Sequence, residues 1–297
     1  MRALMAAALL VAVASQARAQ DDGPRVYQLT PVGARIVTAF LVNKRSNETP
    51  EAGSVIPGAK IDTDILVFRY AQTFAMAGSP VVPFLILPVG QARKTGAPAS
   101  TGLGDMQIGG TIGLVGAPAL SPDRFAAFKP GFGMGLLGRV FFPTGAYSAA
   151  HPVNLGSNRL AYQLGLPSVL AAGQSYRDPA LTSLEVLPTV TFYQTNEDPF
   201  GADRSTKAPL FSVEAHLTRN LASRIWVSAD MLYRLGGATT TDGMDDHNGT
   251  HGWSAGLSAA LPFVSKTSLI FTYEHVIERS DNGPDGWFFR TALVAPF

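Results

Sequence analysis

Thirteen polar residues each fall on the polar side of an alternating segment of this chain: Arg69, Asp105, Gln107, Arg139, Arg159, Gln163, Glu185, Glu214, His216, Asp230, Arg234, Glu274 and Arg290. Five are arginines and five are carboxylates. Rings of one charge sign select ions in pores. An even mixture points instead to a weakly selective channel or to an interior cross-braced by ion pairs. Glu214 with Arg234, and Asp230 with Arg290, are candidate braces. The same alternation turns Phe141, Trp226 and Phe288 inward, an apolar patch suited to a hydrophobic ligand.

Other chemistries find less support. There is no cysteine, hence no disulfide, thiolate or cysteine metal site. Of the five histidines, His247 and His251 share a segment with Asp245 and Asp246, but the spacing matches no regular ligand motif. No metal or cofactor is expected. Neither His216 nor His275 lies near a serine in a recognisable motif, so no catalytic residue is assigned.

The elements that position these groups read as strands. Alternation recurs over 33–45, 61–76, 80–91, 102–117, 130–143, 158–173, 180–195, 208–220, 224–237, 251–263, 267–278 and 286–297, with turn residues between. In 208–220, Phe211, Val213, Ala215 and Leu217 oppose Ser212, Glu214, His216 and Thr218. Arginine or lysine facing the middle of a bilayer costs ~2–4 kcal/mol, so the polar set must point into a lumen. Tyr162, Tyr193, Tyr233, Trp253, Tyr273 and Trp287 sit toward strand ends, as an interfacial girdle would.

Twelve strands put both ends on one side, with tight turns there and longer loops opposite. After the N-terminus, no run approaches the ~18 consecutive apolar residues of a membrane helix. A membrane chain without such helices must pair its backbone between strands, which means a closed all-β, antiparallel up-and-down barrel.

The two ends agree. Arg2, the apolar stretch Ala3 to Ala14 and Ala17-Arg18-Ala19 form a signal peptide over 1–19, leaving 20–297 as one barrel domain. With Arg2 and Arg18 removed from 23 basic residues against 22 acidic ones, the mature chain is close to neutral. That argues against a nucleic-acid partner. Only residues 20–32 precede the first strand, too few for a plug domain, which leaves diffusion through the lumen or exit through its wall.

The last strand, Trp287-Phe-Phe-Arg-Thr-Ala-Leu-Val-Ala-Pro-Phe297, resembles the C-terminal signal read by the assembly machinery of bacterial outer-membrane barrels. Further motifs are Gly102-Leu-Gly-Asp105, Pro143-Thr-Gly145, Asn154 to Arg159, Ala208 to His216, Ile225 to Tyr233, Gly236 to Gly243 and Asp281-Asn-Gly283. Together they resemble the transporter-like outer-membrane family named for a meta-pathway of phenol degradation. The resemblance implies an outer-membrane barrel with a transport role and identifies no ligand. With the inward apolar patch, the reading is a channel or transporter for passive uptake of small molecules, aromatic or hydrophobic ones among them, with outer-membrane lipid, the assembly machinery and a solute as partners. It specifies no oligomeric state. A structural or adhesion barrel, or an outer-membrane lipid-modifying enzyme, is the alternative. Asn154, Gly156, Asn158, Gly236, Gly237, Asp242 and Gly243 would then lie at the extracellular rim.

Overall fold

The structure, a computed structural model, describes residues 22–50 and 53–297. The expected signal peptide and its cleavage site lie outside the described residues. Twelve antiparallel strands close into one barrel. They are β1 (Arg35–Ser46), β2 (Ile61–Gln72), β3 (Ser79–Lys94), β4 (Ser100–Leu103 and Met106–Val115) and β5 (Phe132–Phe142). There follow β6 (Ala161–Gly165 and Ser168–Ala172), β7 (Thr182–Tyr193), β8 (Leu210–Ala222), β9 (Ile225–Gly236), β10 (Thr250–Pro262), β11 (Ser268–Arg279) and β12 (Gly286–Pro296). No helix among the described residues is long and apolar enough to cross a membrane, so any crossing is made by strands.

Each strand pairs with its sequence neighbours, and β12 closes on β1 from Ile36↔Pro296 to Ser46↔Gly286. Every backbone donor in the wall therefore has a cross-strand route, the condition for spanning lipid. Three strands are interrupted, β2 resuming over Phe74–Met76 after a break at Thr73. In β6 the break falls at Leu166-Pro167, where proline has no N–H to give the ladder.

The seam depends on Gly286. Its φ is +125°, and a Cβ there would lie 2.2 Å from the Arg45 carbonyl oxygen across the β1–β12 pair. Gly286→Ala is expected to lower stability by about 1–3 kcal/mol. A urea unfolding midpoint that does not move would contradict this.

The two faces separate cleanly. Leu41, Phe68, Leu87, Ile108, Leu136, Leu164, Leu184, Phe211, Met231, Leu257, Ile277 and Leu293, one from each strand in order, are exposed on the outside. Contiguous apolar surface on this scale requires lipid around it. Tyr233 and Trp253 are paired residues of β9 and β10 with ring centroids 4.6 Å apart. Tyr162 and Tyr273 are also exposed, whereas Tyr193 lines the interior cavity described below and does not belong to an outer girdle.

Long connections, 47–60, 143–160, 194–209 and 237–249, gather at one end, with shorter ones at 95–99 and 280–285. The 95–99 link is tighter than the alternation implies, because β3 and β4 continue further in register. The opposite end has turns at 77–78, 173–181, 223–224 and 263–267, and a 116–131 link containing the short helix Pro122–Ala127. There Tyr176 stacks on Phe125 at 5.3 Å, and burial pushes its phenol up to about 12.

Candidate functional site in the barrel lumen

The main cavity, about 240 Å³, lies in the half of the barrel nearer the long connections. Arg69, Asp105, Gln107, Arg139, Phe141, Gln163, Arg234 and Arg290 line it, together with Asp22, Phe40, Val42, Lys44, Ile65, Val67 and Tyr193. Arg159, Glu185, Glu214, His216, Asp230, Trp226, Glu274 and Phe288 are buried inside the barrel but do not border this cavity. Arg159 donates to Ser205 of a loop, at 3.4 Å.

Register decides which charges meet. Glu214 lies opposite Leu232, and Arg234 opposite Ser212, so the expected Glu214–Arg234 brace is one inward step out of line. Arg234 instead pairs with Glu48, which also holds Lys44 at 3.3 Å. Asp230 lies directly opposite His216 and pairs with it rather than with Arg290. Arg290 lies over the rings of Phe40 and Phe288 at 5.8 and 5.4 Å and donates to Thr272 at 3.5 Å.

The His216 cluster has catalytic residue types in a bracing arrangement. His216 Nδ1 is 2.8 Å from Asp230 Oδ1, and Ser228 Oγ donates to that same oxygen at 2.5 Å. Ser258 Oγ donates to Oδ2 at 2.6 Å. A nucleophilic serine must give its proton to the base. Here serine and histidine converge on one buried carboxylate instead. Asp230→Ala, which removes the acceptor of three buried groups, is expected to cost about 3 kcal/mol or more. A double-mutant cycle with His216→Ala should show strong coupling, and additive losses would contradict the network.

The segment ahead of β1 runs inside the lumen. Whether the lumen is open or filled does not follow from strand alternation; residues 22–30 themselves occupy it. Sequence periodicity missed them, since a non-repeating strap carries no alternation. Asp22 N donates to Glu214 at 3.0 Å, and Arg25 N to Glu185 at 2.8 Å. The Arg25 guanidinium lies 4.7 Å over Trp226 and donates to Thr218. Gln28 reaches Ser183 and Glu185, both at or below 2.9 Å. Asp22 Oδ2 accepts from Arg139 Nη2 and from the Tyr27 hydroxyl, each at 2.6 Å.

This strap divides the lumen. A second cavity of about 90 Å³ opens toward the short-turn end, bordered by Thr73, Pro80, Tyr176 and residues 26–30. Val26 and Arg69 border both cavities. Strap and arginine thus form the partition between two vestibules.

The rim motifs make turns and covers. Asn154 bonds to the Ser148 and His151 carbonyls and accepts from Ser148 N, holding the 143–160 loop compact. Gly156 packs on Gly145 so closely that an added Cβ would lie 2.5 Å from the Gly145 oxygen. Asn158, at φ 51°, donates to Asn196 at 2.7 Å. Gly236, Gly237, Asp242 and Gly243 all have positive φ. Asp242 accepts from Asp203 N and Arg204 N beside a three-stranded loop sheet of Ser205–Lys207, Thr239–Thr241 and Met244–Asp245. His247 and His251 gather no metal-ligand cluster among the described residues.

Asp105 joins wall and loop. Its carboxylate accepts from Gly145 N at 2.9 Å and from Ser157 N and Oγ at 2.9 and 2.5 Å. Val153 and Leu155 from the same loop pack with Ile61 and Ala92, so the loop is part of the interior and not a solvated flap. Lys44 and Glu48 escaped selection from the sequence, although Lys44 keeps the inward parity of Thr38, Phe40 and Val42 and was findable on that ground.

A closed twelve-stranded barrel with an apolar outer band and a polar, partitioned lumen is an outer-membrane β-barrel. The chain belongs to the family described as "Putative MetA-pathway of phenol degradation", whose profile matches residues 45–290. Its fold is similar to the COG4313 outer membrane channel from Pseudomonas putida F1, with TM-score 0.77 and 16 % identity over 93 % of this chain and 100 % of that one. The translocator domain of the autotransporter NalP from Neisseria meningitidis matches more loosely, with TM-score 0.48 and 11 % identity over 90 % of each chain. Comparison with curated proteins returned no match.

Proposed function

We propose that the protein is a non-enzymatic outer-membrane channel for passive uptake of small aromatic or hydrophobic molecules. The observation that carries this reading is the pair of vestibules separated by Arg69 and a short strap that contributes no strand to the wall. Phe40, Val42, Ile65, Val67 and Phe141 give the outer vestibule an apolar wall, while its arginines orient a polar end. A solute enters beside the 143–160 loop, rests in the outer vestibule, and passes when the strap shifts. Ser228 and His216 both bond to the Asp230 carboxylate, an arrangement that braces the wall and supports a transport role over lipid hydrolysis.

Outer-membrane lipid meets the apolar outer band. The exposed terminal Phe297 is the group that the assembly machinery would read. The test is solute uptake into liposomes containing the purified barrel, across a panel of aromatic and small polar solutes. Faster uptake of aromatic solutes than in protein-free liposomes is expected. No uptake of any of them would favour a purely structural barrel.

A further inference from the structure

Charge balance along the sequence conceals a separation in space. The main cavity is bordered by five cations, Lys44, Arg69, Arg139, Arg234 and Arg290, but by only two carboxylates, Asp22 and Asp105. Lys44 and Arg234 are engaged with Glu48, and Asp105 with the 143–160 loop. The remaining cationic face centres on Arg69 and Arg139.

These two guanidiniums lie over one ring, 5.1 and 5.3 Å from the Phe84 centroid, and Arg139 is also 5.8 Å from that of Phe141. Among the described residues, Arg69 makes no hydrogen bond or ion pair. Arg139 is only 9 % exposed, and its Nε has no hydrogen-bond partner among the described residues. Arg139 donates to Gln107 Oε1 at 3.3 Å and to the Tyr27 hydroxyl at 3.0 Å, and its carboxylate partner is supplied by the strap: Asp22, which is also held by the Tyr27 hydroxyl. The strap passes so close to Arg290 that a Cβ on Gly23 would lie 2.3 Å from Arg290 Nη2. A cationic site that borders the main cavity, its two guanidiniums resting on Phe84, is thus filled by the chain's own carboxylate.

We propose that Arg69 and Arg139 form a binding site for a small monocarboxylate with a flat apolar body, and that Asp22 is its built-in competitor. This rests on the channel reading and gives it a substrate class. An incoming carboxylate takes the place of Asp22 on Arg139 and adds a contact to Arg69, while its apolar body lies against Phe141 and Ile86, which border the cavity. Displacing Asp22 removes one of the strap's anchors, so cargo binding loosens the partition that blocks its path. Guanidinium geometry favours a carboxylate, which can accept two parallel hydrogen bonds, over a neutral amide of the same shape.

The test uses the full-length purified barrel, with benzoate as probe and benzamide as its neutral isostere, by calorimetric titration. Asp22→Asn keeps the shape of the competitor and removes its charge. It should bind benzoate about tenfold more tightly than the wild type, because the competent state is no longer masked. Benzamide affinity should not change. Arg69→Gln added to Asp22→Asn should abolish the gain, and retention of the folded gel mobility of both variants confirms an intact barrel. Equal affinity for benzoate and benzamide, or no gain in Asp22→Asn, would overturn the proposal.

Flux through liposomes separates this from the channel reading. Benzoate binding that depends on Arg69, without any solute flux, would sustain the site and sink the channel. Flux of aromatic solutes with no preference for benzoate in binding would do the reverse.

Discussion

Glu48→Ala is expected to destabilise the barrel by about 3–5 kcal/mol, because it removes one anion from two deeply buried cations. Glu48 is 0 %, Arg234 1 % and Lys44 2 % exposed, and the three form one cluster at the long-loop end. Burying such charges is tolerable only when they neutralise one another, since each ion taken from water costs several kcal/mol. Arg234→Ala should lower stability through the same cluster while leaving ion preference largely as it was, because its charge is matched by Glu48. Urea titrations at constant slope measure the loss. A shift below about 1 kcal/mol, the range of solvent-exposed pairs, would show that the cluster is hydrated.

The second large effect concerns the strap. Deleting residues 22–30 should raise single-channel conductance severalfold, since those residues make up most of the partition between the two vestibules and leave only Arg69 there. The cut leaves in place the backbone bonds from Val32 N to Leu120 O and from Gly33 N to Thr73 O, which anchor the start of β1. The wall therefore remains closed, and folded gel mobility should persist. Arg25→Ala is the milder version: it removes the contact with Trp226 and the bonds to Thr218, and should give brief openings instead of a permanent increase. Conductance in the deletion equal to that of the intact chain would mean that the partition lies elsewhere, and the transport route with it.

Much of the architecture was legible because strand alternation has period two and the membrane punishes errors of face. A one-residue slip would place Arg139, Arg234 or Arg290 in lipid, so composition alone dictates which side each residue takes. All twelve expected strands appear, with ends displaced by a few residues. The inward parity of Trp226 and Phe288 follows from the same rule, and both are buried.

Partner choice was not legible. Alternation specifies a face but not a register, and one inward step separates Glu214 opposite Leu232 from a contact with Arg234. The Glu48 partnership joins a loop residue to a strand distant in sequence, a contact no local pattern encodes. The strap was invisible for a related reason: residues 22–30 have no periodicity, and their place follows only from their bonds to β5, β7 and β8 across the lumen.

By itself, then, the sequence determined a twelve-stranded barrel, its inward and outward faces and a near-neutral lumen inventory, because the alternating solvent on the two sides of the wall acts residue by residue. Only the tertiary structure decided that the lumen is partitioned and that its charges are segregated. Cations border the main cavity, while Glu185, Glu214 and Asp230 lie away from it, two of them holding the strap. The reason is geometric: closure of β12 on β1 sets which inward residues share a level, and that arrangement exists only once the ring is complete.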